Sequence, residues 1–365
     1  MKTTSRYLAY NLSKNLWRTA VLAVISSVIC VINTSNEQEH VVVEWSSTGL
    51  YMLPILIGVL AFIIPVLELS AFKNRRNLDA LYSFPIDRRK MAAVHCVSGA
   101  IQMVAIYTVA FAAQLIYLVL NTSCFALGYM IPYYFLLLLV GLALYFIFCF
   151  VFNQGNSVAD GVVFCLMWSF VGYIVAWVLI NTFYKAFFTP DSWTMQQLSD
   201  WYETTQATQW GMVFAPLNNL TVIFQDLIEV NRHGEYYDYY DTYAHKYASQ
   251  MYMFFIWGAI GIAAVMAHIF GFDRKGAHKA GEPSDSWFGY KTLIPIYGYS
   301  ILLYQASECS FDFLFVMTIV AMYIGYVVYR RSFKIKKCDV IVLVCAVIPV
   351  IVGLLLSATM PSVYC

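Results

Sequence analysis

The chain has 365 residues, 61% of them hydrophobic and 12% charged, with a formal net charge of +1. Apolar runs of about 20 residues, the length a helix needs to cross a hydrocarbon core of roughly 30 Å, recur from end to end. A soluble globular protein has no use for them. The expected fold class is an all-α polytopic membrane protein, and no nucleic-acid partner is expected.

In chain order, Lys2 and Arg6 precede a polar stretch, "NLSKN", and the apolar run after it lacks a cleavage site, so the first span is expected to be retained. Nine apolar segments follow one another at residues 16–33, 51–69, 91–120, 129–152, 162–183, 251–270, 291–304, 311–329 and 340–360. They predict about nine transmembrane helices in a single domain over 1–365. The seventh, "TLIPIYGYSILLY", is short and carries Pro295. If it failed to cross, the five cations of 330–337 would lose roughly 1 kcal/mol each of attraction to an anionic inner leaflet. It is therefore expected to cross, in a tight hairpin with the eighth segment around "QASECS".

With every segment crossing, nineteen of the 22 Lys and Arg residues fall on one side, at the N-terminus and in the connections 70–90, 271–291 and 330–337. Cations stay cytoplasmic, which predicts an N-terminus inside and a C-terminus outside. The external connection, 184–250, holds eight acids against three cations and the tyrosine-rich "EYYDYYDTYAHKY". It is expected to be a solvated cap whose tyrosines settle at headgroup level, with a ligand-facing lid as the alternative. Within it, "PLNNLTVIFQDLIEV" has the apolar spacing of a short helix lying at the interface.

Ionisable residues inside a span are functional candidates. Glu68, His95, His268 and Asp312 all fall near predicted span ends, and Asp160 sits in the link "NQGNSVADG". Interfacial hydration or snorkelling is the simpler expectation for each. The nine cysteines show no CxxC pair and no ligand spacing; most read as small apolar side chains, with a disulfide among Cys124, Cys309 and Cys365 left open. No HExxH, GxSxG, paired glutamates or GxxxxGK[ST] occurs. Neither catalysis nor ATP hydrolysis is expected in this chain, and no cofactor or metal. The small-residue runs "GAIGIAA" and "SGA" would allow close helix approach.

One stretch stands apart, "NRRNLDALYSFPIDRRK" at 74–90. Leu78, Leu81 and Tyr82 share one face of a helix of about two turns. Asn77 is placed to cap it, and Asp79 falls in the first turn, where the helix dipole favours a negative charge. Pro85 ends it, and Arg88, Arg89 and Lys90 open the third span. A basic amphipathic turn of this kind can simply lie on lipid.

The order of residues resembles something more particular. "RRNLDALYSFPIDRRKMAAVHCVSG" is similar to the first cytoplasmic loop of ABC transporter permeases of the type-2 exporter class, bacterial membrane-spanning subunits in which Asp-x-Leu-[Tyr/His]-Ser-Leu-Pro-Ile-x-Arg precedes the third span. Asp79, Leu81, Tyr82, Ser83, Phe84, Pro85, Ile86 and Arg88 occupy those places, with Phe84 for the usual leucine. "FFIWGAIGIAAVMAHIFGFDRKGAHKAGE" resembles the span that ends in Arg-x-x-x-Glu-x-Ala-Gly in that group. Arg274, Ala280 and Gly281 match, and His278 replaces the glutamate.

The resemblance implies a division of labour in the bacterial cytoplasmic membrane. This chain would form the pathway, with a second permease copy or a related permease, and a separate cytoplasmic ABC ATPase would bind nucleotide. The 77–84 helix, with Leu78 and the flanking Arg89, would be the coupling helix seated in that ATPase, and 5–17 an amphipathic elbow helix at the inner interface. The competing expectations are a non-transporting sensory or immunity protein binding an envelope or peptide ligand through 184–250, and an intramembrane enzyme.

Overall fold

A computed structural model of the protein describes residues 2–38, 48–74, 77–78, 81, 83, 85–121, 127–178, 182, 216–217, 220–221, 223–224, 252–272, 281–282, 284–309, 311–334 and 336–358. The regular elements among them are all helical: α1 (Lys2–Gln38), α2 (Thr48–Leu69) with a 3-10 turn at Ser70–Lys73, α3 (Arg88–Asn121), α4 (Leu127–Gln154), α5 (Val158–Val178), α6 (Tyr252–Phe272), α7 (Tyr290–Ser307), α8 (Phe313–Arg330), α9 (Lys337–Cys345) and α10 (Val347–Ser357). Eight spans among the described residues are long and apolar enough to cross a membrane, with α9 and α10 joined as one. The chain is a multi-pass all-α membrane protein.

Two compact units divide it, one built from Met1–Asn153 and Ala215–Ala280, the other from Gln154–Phe214 and Gly281–Cys365. In the first unit α1 packs chiefly along α3, with α2 beside both. Residues 5–17, expected as an elbow helix, are helical and form the opening turns of α1, which runs unbroken for 37 residues, about 55 Å at 1.5 Å per residue. The buried positions of α1 recur with helical period: Tyr7, Asn11, Ala23, Ser26, Cys30 and Thr34. Past Arg18 the stripe is of small side chains, which let α3 come close. Gly261 of α6, in the "GAIGIAA" run, makes a similar approach, since a Cβ there would stand 2.6 Å from the Ala143 Cα of α4.

The stretch expected to lie as a helix at the interface behaves differently. Its described residues are helical, but Leu220, Thr221, Ile223 and Phe224 are buried inside the first unit. The Thr221 hydroxyl pairs with Tyr133 at 3.1 Å, and Phe224 packs on the same ring at 5.2 Å. Apolar periodicity marks one covered face and does not distinguish lipid from protein as the cover. The rest of 184–250, apart from Thr182 just before it, lies outside the described residues, including its tyrosine-rich acidic part.

In the second unit α7 is the helix that its sequence makes least obvious. It is 18 residues long, about 27 Å, and falls outside the eight apolar spans. Its neighbours explain why: α5, α8 and α10 all pack on it, so it needs less apolar surface. Gly298 lets Met322 of α8 sit against its backbone, and Gly353 of α10 lies so close to Ala306 that a Cβ would come within 2.7 Å of that methyl. Helix α7 ends at Ser307, and α8, which begins at Phe313, packs back on it as the hairpin expected from the sequence.

The last span is broken at Ala346, and Pro349 is the cause. Proline lacks an N–H and its ring clashes with the carbonyl four residues back, here that of Cys345. The chain responds by tightening, and Ala346 N–H bonds the Leu343 carbonyl at 3.3 Å. That leaves the Val342 carbonyl without its regular helical donor, and the Tyr299 hydroxyl of α7 fills the place at 2.6 Å. Tyr299→Phe is expected to cost about 1–2 kcal/mol by orphaning that carbonyl. In a Pro349→Ala background, where a regular helix can satisfy it, the cost should largely vanish. Thermal unfolding of the four proteins of this double-mutant cycle in detergent checks the coupling.

Candidate functional site

The first half of α1 carries Tyr7, Asn11, Asn15 and Arg18, spaced by four, four and three residues and so on one helical face. An interfacial elbow would turn such a polar stripe to water. Here it turns inward: Tyr7 and Asn11 are buried, while Tyr10, Leu16 and Trp17 point out. What the stripe meets is Glu68, one residue before the end of α2, with a side chain only 1% exposed.

Five donors from two other helices converge on that carboxylate. Oε1 accepts from Asn15 Nδ2 at 2.9 Å, from Gln102 Nε2 at 2.9 Å and from the Arg18 guanidinium. Oε2 accepts from Asn11 Nδ2 at 3.0 Å and meets His95 Nδ1 at 3.2 Å. A carboxylate only accepts, so His95 presents Nδ1–H to it and leaves Nε2 to the Tyr7 hydroxyl at 3.1 Å. Gln102 is fixed in turn, its oxygen accepting from Arg18 at 2.8 Å and its amide donating to Ser98 at 3.1 Å. Charge is balanced by the Arg18–Glu68 pair, and the carboxylate's oxygens are fully engaged. The cluster can therefore hold three helices in register, and it offers no vacant carboxylate oxygen to a ligand.

Glu68 and His95 are thus corrected from hydrated or snorkelling side chains to members of a built interior network. The cue lay in α1: polar residues every fourth position ahead of an apolar span predict a buried counter-charge. His268 is also fully buried, edge-on to Phe272 at 5.7 Å. Asp160, in the first turn of α5, is buried and accepts from the Tyr290 hydroxyl at 2.9 Å. Asp312 alone matches the surface expectation, exposed at the N-cap of α8. Among the described residues no group of three or more His, Cys, Asp or Glu side chains could hold a metal.

The 70–90 connection leaves directly from this cluster. Phe72, in the 3-10 turn, is clasped edge-on between the His95 ring at 4.9 Å and Phe272 at 5.1 Å. Asn74 is extended, and its carbonyl accepts from the N–H groups of Asn77 and Leu78. The short helix therefore opens at Asn74, three residues before the expected cap at Asn77. Asn77, Leu78 and Leu81 are helical, Leu78 is buried and Leu81 half-buried, so the apolar face expected at those positions is turned to the protein. Asp79, Tyr82 and Phe84 lie outside the described residues.

Ser83 and Pro85 are exposed and Ile86 half-buried where the chain bends. Asp87 then opens α3, its carbonyl accepting from Met91 N–H at 2.9 Å. Arg88 and Arg89 are exposed in the first turn, with the Arg89 guanidinium 6.0 Å from the centre of the Phe270 ring. Asp87 at the cap suits the positive end of the dipole, whereas Arg88, Arg89 and Lys90 oppose it by roughly 0.3–1 kcal/mol each. Local preference does not explain three cations there.

Of the second matched loop, Arg274 and Ala280 lie outside the described residues. Gly281, in the second unit, is exposed with φ +85°, and its N–H bonds the Asn156 carbonyl at 2.9 Å. A backbone in that left-handed region favours glycine, so a structural requirement accounts for this residue. Nearby, Asp285 accepts from the Tyr329 hydroxyl at 2.9 Å, and that bond, with Lys291 and Arg330 close by, holds its carboxyl below the usual range. The 331–336 turn is closed by a two-point Arg330–Asp339 pair at 3.0 and 3.1 Å.

Compared with known proteins, the chain matches no family model, no curated protein and no solved structure. Phe72 offers a direct test of the cluster's packing. Phe72→Ala should cost about 3–5 kcal/mol through the cavity left between His95 and Phe272, and Phe72→Leu distinctly less, as measured by unfolding in detergent.

Proposed function

We propose that the chain is the membrane-spanning permease subunit of an ATP-driven exporter of the ABC type-2 class. It sits in a bacterial cytoplasmic membrane with its N-terminus inside and works with a second permease copy or a related permease. A separate cytoplasmic ATPase binds and hydrolyses nucleotide, and the 77–84 helix receives its movement. The observation that carries this reading is the form of the 70–90 connection. A short helix is seated on its own unit through Leu78, and a bend with Ser83 and Pro85 exposed leads into the first turn of α3, where Arg88 and Arg89 are exposed.

The physics suits an actuator. A partner that prefers one conformation of the loop in its ATP-bound state shifts the permease toward that conformation, and it can do so only if the loop is short, firmly attached and accessible. The cations of Arg88–Lys90, set against the helix dipole, complement an acidic docking surface. Residues 79–88 carry the permease-like order, and the sequence holds no GxxxxGK[ST] phosphate-binding loop.

Tyr82→Ala and Arg88→Glu are expected to leave the protein in the membrane and its ATPase partner active while transport falls by tenfold or more, about 1.4 kcal/mol of lost coupling. Copurification of the chain with an ATPase, followed by paired ATP-turnover and transport measurements in proteoliposomes, tests this. Normal transport in both variants would remove the coupling assignment.

A further inference from the structure

A buried carboxylate tied to three helices has a consequence beyond holding them. We propose that Glu68 is the positioning residue that makes the 70–90 connection and α1 move as one body. This rests on the reading of 70–90 as the segment a partner pushes, and it names the route by which the push leaves the loop.

The route is short. Glu68 lies two residues before the 3-10 turn that starts the connection, and His95 lies in the second turn of α3, just after it ends. Both loop ends thus terminate on one carboxylate–imidazole contact of 3.2 Å. Phe72 fills the space above it, its ring 4.9 Å from that of His95. From this joint further contacts run to α1, through Asn11, Asn15, Arg18 and the Tyr7 hydroxyl, and one more to α3 through Gln102. A shift of either loop end would break bonds to α1 unless α1 followed.

The alternative, that Glu68 merely contributes to folding, would require a diffuse contact. The contact is instead directional and charged. Oxygens saturated by five donors lose much for a small displacement, because hydrogen bonds weaken steeply with misalignment. Farther along α1 the buried residues are small and uncharged, Ala23, Ser26, Cys30 and Thr34, with Thr34 accepting from Gln114 at 3.2 Å. The charged contacts of α1 are concentrated beside the loop.

Limited trypsin digestion of the full-length chain in open membranes, with neither ATPase nor nucleotide, tests the joint. Cleavage at Arg88–Lys90 reports the loop, and cleavage at Arg331–Lys337 in the second unit reports general unfolding. E68Q is expected to speed the first about tenfold, since cleavage tracks local opening, and to leave the second unchanged. The neutral pair R18Q/E68Q should return the loop close to the wild-type rate. Unchanged cleavage at Arg88–Lys90 in E68Q overturns the proposal, and so does equal acceleration at both places, which would make Glu68 a general stabiliser. If E68Q does not accumulate, N15A and Q102A each delete one donor and should speed loop cleavage alone, about threefold; silence in both is equally fatal. Because no partner is present, failure of the joint and failure of the exporter reading give separate results.

Discussion

A charge buried among membrane helices must find every partner it needs inside the protein, and Glu68 is where that constraint acts hardest. In water a carboxylate is solvated from all sides. With 1% of its side chain exposed, Glu68 depends on donors supplied by neighbouring helices, and leaving it unpaired would cost several kcal/mol. That requirement fixes the rotation of α1, whose Tyr7–Arg18 stripe must face inward. It fixes the register of α3, which must bring His95 and Gln102 to the same depth. It also fixes the departure of the 70–90 connection. Apolar packing alone would leave α1 able to turn or slide, because its buried positions beyond Arg18 are mostly small.

The same accounting governs the second unit with backbone groups in place of a charge. Pro349 removes one donor from the last span, the chain tightens around Ala346, and the Val342 carbonyl is satisfied by Tyr299 across the interface with α7. A Tyr on a central helix therefore makes sense of a break in a neighbouring one. Lipid supplies no hydrogen bonds to cover such a defect, so the compensation must come from a packed helix, and α7 is the most enclosed helix of its unit.

Much of this was legible in the chain itself. Composition and the recurrence of apolar runs were enough for the fold class, and the eight strong spans lie close to where hydropathy places them. Span seven was legible as a helix but weak as a span, because hydropathy assumes a lipid neighbour and α7 has three protein ones. The stretch containing Leu220 and Phe224 misled for the converse reason, its apolar face being covered by α2 and α4 rather than by lipid. Reading ionisable residues one at a time hid the central cluster. Glu68 and His95 are 27 positions apart and Asn11 is 57 from Glu68. Only the four-residue rhythm of Tyr7, Asn11, Asn15 and Arg18 hinted that an interior partner existed.

Charge at the helix starts adds a last constraint. Cations in the connections oppose the dipole of any helix that begins beside them, and the chain offsets this with a carboxylate at each such start. Asp87 caps α3 ahead of Arg88–Lys90. Asp339 lies in the first turn of α9 after Lys336 and Lys337, where it accepts from the Lys336 N–H and grips Arg330. Asp285 precedes α7 and pairs with Lys291 at 3.5 Å. Where a helix ends among cations no offset is needed, because Arg330 at the C-terminus of α8 is favoured by the dipole. Asp339 and Asp285 neutralise their cations in part by direct contact. Asp87 stands at the cap of α3, with Arg88 and Arg89 exposed just after it, at the end of a connection that leaves from Glu68 and returns to His95 across one buried contact.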